Sequence, residues 1–225
     1  MKHASIYDSS LAKNSRAVYE NARDSAIFED KYDVDFVTGL LKKENSLSNL
    51  VNIIYNFTPE GKQKTYIGSL LSTLKRYTNG KVYFFKFNEQ YESIGGVCSY
   101  DEDGQVISLN NNVRSYTHIS NIIIHEAVHY VTSRYIDEHP KIKAVLRGYV
   151  DYLNAYDNAN KSRYFSMLDV YGLKNEHEFI AEFVSNPNFR ELLKYIPAYD
   201  ENKFNNALEN VVSVIDNSIH KNSQS

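Results

Sequence analysis

The chain has 225 residues, of which 42% are apolar and 24% charged, and a net charge of −3 at neutral pH. This suffices for one substantial core or for two lobes meeting at a cleft, and the mild negative charge, spread without blocks, offers no basic stripe to neutralise phosphates, which argues against a nucleic-acid partner. The single cysteine, Cys98, excludes an internal disulfide framework and a cysteine-rich zinc cluster.

The first residues, Met1-Lys2-His3-Ala4-Ser5-Ile6, carry no apolar run of the signal-peptide kind, and no window approaches the roughly 18 apolar residues of a membrane helix. The expectation is a protein of the cytoplasm, or of a particle assembled there, with no membrane partner. Residues 1–30 are polar and mixed and read as a loose arm with a short helix near Leu11–Arg23. From Asp33 to Tyr77 the pattern is helical. Val34, Val37, Leu40 and Leu41 have helical spacing, as do Leu47, Leu50, Ile53 and Ile54. Thr58-Pro59-Glu60 reads as a helix cap followed by Pro at the first helical position, leading into Ile67, Leu70, Leu71 and Leu74. Asn79-Gly80 stops that run.

Lys81–Phe87 alternates as a strand, with Val82, Phe84 and Lys86 against Tyr83, Phe85 and Phe87. Gly95-Gly96 marks a break. Val97–Tyr100 and Gln105–Asn110 flank Asp101-Glu102-Asp103-Gly104, a turn composition suited to a hairpin.

Three isoleucines, Ile122, Ile123 and Ile124, then lead into His125-Glu126-Ala127-Val128-His129. The run on to Arg134 lacks Gly and Pro. Ser115, Thr117 or Ser120 can cap its start, and His139-Pro140 should end it. On a helix His125 and His129 sit one above the other on a single face. Two imidazoles so placed can bind one Zn²⁺, and the Glu126 carboxylate between them can act as general base on a water held there. The remaining histidines, His3, His118, His139, His177 and His220, take surface or helix-end roles, with His118 two turns before His125 and close enough to line the cleft.

Further helical stretches are expected near 140–156, 161–169, 175–185, 188–195 and 200–219. The first of these is rich in tyrosine (Tyr149, Tyr152, Tyr156), as is the stretch around Tyr164. Zinc needs a third protein ligand and an open position for water. In Tyr171-Gly172-Leu173-Lys174-Asn175-Glu176-His177-Glu178-Phe179-Ile180-Ala181-Glu182-Phe183, Asn175 reads as a helix cap, and Glu178 and Glu182 share a face four residues apart. Phe179 and Phe183 form a second such pair, suited to the core. Ala181 is small enough for another helix to approach closely.

The two segments together resemble the zincin peptidases whose third ligand is a Glu on a later helix. They are most similar to the peptidase domain of anthrax lethal factor and to the secreted Pro-Pro endopeptidases. The features that carry the resemblance are His125-Glu126-x-x-His129, Tyr171-Gly172 and Glu178-Phe179-Ile180-Ala181-Glu182, within about Val106 to Leu193. The resemblance implies Glu178 as the third metal ligand, Tyr171 as the group that steadies the oxyanion, and Glu182 as an outer carboxylate orienting a liganding histidine. It also implies that the strand before the motif helix, Val106-Ile107-Ser108-Leu109, is a sheet edge on which an extended peptide pairs. Asn186-Pro187-Asn188-Phe189 is more loosely similar to segments of phage and mobile-element polyvalent proteins. The tyrosine-rich insert can reshape the cleft wall, so substrate preference does not carry over.

The order of elements predicts an α+β fold: a helical N-terminal region over residues 1–80, serving as cap or docking element, then a zincin-like metallopeptidase domain over residues 81–225 with a small mixed sheet, the motif helix and a helical C-terminal part. The expected function is a zinc-dependent endopeptidase acting on a peptide or protein substrate. The alternative is a non-catalytic component of the same fold, packaged in a phage particle or mobile element.

Overall fold

The computed structural model describes residues 3–5, 34–75, 80–85, 95–101, 104–110, 116–160, 170–194 and 196–199. It is mostly helical with a small mixed sheet, an α+β arrangement. The chain divides into two compact units, Met1–Ser133 and Arg134–Ser225. The division falls inside one continuous helix, Tyr116–Glu138 (α4). Among the described residues, no helix is long and apolar enough to cross a membrane.

The first unit begins with strand β1 (His3–Ser5), where a loose arm is expected from the sequence. Helices α1 (Val34–Lys43), α2 (Leu47–Phe57) and α3 (Lys62–Leu74) follow. Helical spacing puts Leu47, Leu50, Val51 and Ile54 on one stripe of α2 and Ile67, Leu70, Leu71 and Leu74 on one stripe of α3, and all eight are buried. Thr58 does not start α3. Its hydroxyl donates to the Ile54 carbonyl at 2.7 Å and closes α2 instead. A hydroxyl that reaches back four residues satisfies a helix-end carbonyl, so the same residue type serves either end. Helix α3 starts after Gly61, whose φ of +146° only glycine adopts without strain.

Strands β2 (Lys81–Phe85), β3 (Gly96–Asp101) and β4 (Gly104–Asn110) complete a sheet of order β1-β3-β4-β2. β3 and β4 form the expected antiparallel hairpin, closing at Asp101↔Gly104. Gly96 is thus the first residue of β3 and not a break. β2 lies parallel to β4 with Val82 opposite Ile107, which in turn faces Cys98 on β3. These three form a buried row across the sheet, while Tyr83, pointing the other way, is 41% exposed. The next row on the buried face is Phe84, Leu109 and Gly96.

This order corrects one expectation. Val106–Leu109 is not a sheet edge, because β4 is paired with β3 on one side and β2 on the other. A strand bonded on both sides has no open row of amides and carbonyls for a peptide. Among the described residues, the outer strands are β1 and β2.

The second unit takes in the end of α4, then α5 (Pro140–Asn160), a 3₁₀ turn (Val170–Leu173), α6 (Glu176–Ser185) and α7 (Pro187–Leu193). Helix α4 stops at Glu138 and Pro140 opens α5, as His139-Pro140 predicts. Phe179 and Phe183 are fully buried, with ring centroids 6.4 Å apart, and Phe189 meets Phe179 edge-on at 5.7 Å. Arg190, itself buried, donates to the carbonyls of Phe183 and Val184 and so satisfies the open end of α6. Tyr149 and Tyr152 pack with Tyr199, and the Tyr152 hydroxyl donates to the Pro197 carbonyl at 3.0 Å. The helices expected near Leu11–Arg23, 161–169 and 200–219 lie outside the described residues.

Candidate metal centre

Ile119 to Val128 of α4 form a buried stretch interrupted only by Asn121. A helix apolar on nearly every side is a core helix, which is where Ile122, Ile123 and Ile124 belong. Thr117 and Ser120 lie inside α4 and do not cap it, and Ser115 is outside the described residues. This core helix buries three ionisable side chains within five residues: His125 and His129 are each 4% exposed and Glu126 is 0% exposed. Four residues of helix bring the two imidazoles together, Nε2 to Nε2 at 3.0 Å, with ring planes inclined at 69°.

Helix α6 is started by Asn175, whose side-chain oxygen accepts from the amides of His177 at 3.0 Å and Glu178 at 2.9 Å. Glu176 and Glu178 fall in its first turn, where the helix dipole favours negative charge. Glu178 is buried, and its Oε1 accepts a hydrogen bond of 3.1 Å from the hydroxyl of Tyr171. Tyr171 is 2% exposed and stands in the 3₁₀ turn, with the Lys174 ammonium 4.2 Å from its ring centroid. That turn presses on α6 at Gly172: a Cβ there would lie 2.9 Å from Glu182 Cβ and 3.1 Å from the Phe189 ring. Glu182, also buried, accepts from the Asn186 side chain at 2.8 Å.

A charge network holds the start of α6 in the second unit. Glu176 accepts from Arg147 at 2.9 Å and lies 3.5 Å from Lys143. Lys143 also reaches Asp137 at 2.7 Å, and Asp137 meets His177 Nε2 at 3.2 Å. Burial pushes the Glu176 carboxyl up, but its own backbone amide and the Arg147 guanidinium outweigh that and hold it below the ordinary carboxylate range. The Lys143 ammonium hydrogen-bonded to Asp137 likewise lowers the Asp137 carboxyl. Sequence reading does not reveal this network, because Arg147 and Glu176 are 29 residues apart and Asp137 and His177 are 40 apart.

His125, His129 and Glu178 each offer a ligand atom, and these atoms all lie within 4.8 Å of one another. The donor set fits a divalent metal ion. Two nitrogens bound at about 2.0–2.1 Å to a tetrahedral zinc stand about 3.3 Å apart, close to the spacing of the two Nε2 atoms. Both imidazoles can present lone pairs from Nε2, and the carboxylate supplies negative charge. Among the described residues, this is the cluster of metal-ligand spacing. Of the other histidines, His118 is half-buried in α4, and His139 stacks on Tyr135 just beyond that helix. His177 is buried rather than on the surface, and His3 lies in β1 opposite Cys98, not in a frayed end. His220 is outside the described residues.

No family model, curated protein or solved structure matches the chain.

Proposed function

We propose that the chain is a zinc-dependent endopeptidase of the zincin type. The observation that carries this reading is the grouping of His125, His129 and Glu178, with Glu126 next to His125 on the same helix. Two histidines, one carboxylate and an adjacent glutamate are the parts that water-mediated peptide hydrolysis needs.

A bound Zn²⁺ supplies Lewis acidity, bringing the pKa of a water to about 7 and polarising the scissile carbonyl. His125 and His129 would hold it through imidazole nitrogens and Glu178 through a carboxylate oxygen. Glu126 takes a proton from the attacking water and hands it to the leaving amine. Tyr171, through the hydroxyl it donates to Glu178, orients that carboxylate. The oxyanion role implied by the resemblance requires the same hydroxyl to turn to the substrate.

Burial of the group favours a second reading. The three ligand residues are no more than 7% exposed and Glu126 is 0% exposed. Ligands so far from solvent suit a metal that no substrate reaches, and a packaged phage or mobile-element component of the same fold would bind zinc and cleave nothing.

Metal analysis of the purified protein, followed by digestion of a peptide library with and without chelator, separates the two. The peptidase reading expects about one zinc per chain and cleavage that chelator abolishes. It also expects Glu126→Gln to keep the metal and lose about 10²-fold or more in turnover. Zinc without cleavage supports the structural component, and a chain without zinc defeats both.

A further inference from the structure

β3 enters the sheet at Gly96, opposite Leu109 of β4. A side chain at Gly96 would meet α4. Its Cβ would lie 2.7 Å from Ile122 Cγ2, 3.0 Å from Glu126 Cγ and 3.1 Å from Leu109 Cδ2. Ile122 and Glu126 are four residues apart, so they form one stripe of α4, and that stripe lies on the sheet where β3 has no side chain. The glycine is not there for its backbone. Among the described glycines only Gly61 has a positive φ, so any residue can adopt the conformation of Gly96. What Gly96 contributes is the missing Cβ. The neighbouring Gly95 differs in one respect: a Cβ there would have Ile122 atoms as its three nearest contacts, the closest at 2.5 Å.

We propose that Gly96 is a positioning residue for Glu126, leaving the space in which the glutamate side chain runs between α4 and the sheet. The inference rests on the reading of Glu126 as general base. A base must stand within hydrogen-bond reach of the proton it removes, and a misplacement of about 1 Å can cost about 10²-fold in rate. A methyl group at position 96 displaces Glu126 while touching none of His125, His129 or Glu178 among its nearest atoms.

The test compares Gly96→Ala, Gly95→Ala and Gly96→Ala/Ile122→Ala with the parent chain. Each is loaded with zinc for kinetics and with cobalt(II) for absorption spectra, and Glu126→Gln serves as the spectral reference. All three variants should bind zinc within about threefold of the parent. Gly96→Ala should lower kcat about tenfold or more with KM little changed, whereas Gly95→Ala should stay within about threefold of the parent in both. The cobalt spectrum of Gly96→Ala should move toward that of Glu126→Gln, and that of Gly95→Ala should not. The double variant removes the Ile122 clash and leaves the Glu126 contact, so its kcat and cobalt spectrum should stay with those of Gly96→Ala, and it takes the place of Gly96→Ala if that chain does not fold.

Equal losses in the two alanine variants, or a Gly96→Ala chain with parental kcat and spectrum, overturn the inference. A parent that binds cobalt but cleaves no peptide defeats the peptidase reading alone, and the spectra then decide the role of Gly96. A parent that binds no divalent cation overturns both.

Discussion

The hydroxyl of Tyr171 donates a 3.1 Å hydrogen bond to Oε1 of Glu178, and both side chains are buried. A carboxylate held this way has its orientation set by the protein itself. The tyrosine is held in turn by the 3₁₀ turn that fits against α6 only because Gly172 has no side chain.

Tyr171→Phe should therefore weaken zinc binding by about 10- to 100-fold as well as lower turnover. Competition with a chelating dye measures the affinity. An affinity equal to that of the parent would leave Tyr171 as core packing.

Glu178→Gln should cost more metal affinity than Glu182→Gln. On the zinc reading the first removes a charged ligand, with an expected loss of about 100-fold or more, and the second touches a carboxylate bonded to Asn186, with an expected loss of about 10-fold. Zinc content after dialysis reads the difference, and equal content in the two variants would mean that Glu178 is not the third ligand.

Asn175→Ala should destabilise the fold by about 0.5–2 kcal/mol, since the amides of His177 and Glu178 both lose their acceptor. Asn175→Ser should recover most of it, because a serine oxygen accepts from the same amides. Denaturation midpoints of the three chains check this, and an alanine variant as stable as the parent would show the cap to be idle.

Asp137→Asn should flatten the acid limb of stability. The carboxyl of Asp137 is held below its ordinary value by the hydrogen bond from Lys143, so the unfolded chain takes up the proton first as pH falls. The stabilisation is complete above the ordinary carboxylate pKa, about 4, and drains away as pH drops through the folded value. The partners are 45% and 41% exposed, so screening keeps the effect within about 1 kcal/mol and added salt shrinks it. Thermal melts at pH 3 and pH 6 test it; identical acid limbs in the two chains would rule the pair out.

Much of the local structure around the candidate centre is legible in the sequence. Ile122–Ile124 and the breaker His139-Pro140 bound a core helix, Asn175 announces the start of α6, and Phe179 and Phe183 mark its buried side. Other features are not. Thr58 and Gly61 both suit a helix end, and the choice between them depended on which carbonyl the Thr58 hydroxyl reached. The hairpin of β3 and β4 is written in its turn residues, but the parallel pairing of β2 beside β4 is not, and that pairing is what denies β4 an open edge. With 19 tyrosines in the chain, spacing alone could not single out Tyr171.

Sequence pattern by itself determined that His125 and His129 share a helix face, because that follows from the geometry of four consecutive residues. It also determined that Glu178 and Glu182 are alternatives on one face of a later helix. Only the tertiary structure decided that Glu178 comes within ligand distance of the imidazoles and that Glu126 lies over Gly96. Those relations join residues tens of positions apart, where helical and strand periodicities carry no information and only the packing of the folded chain sets the distance.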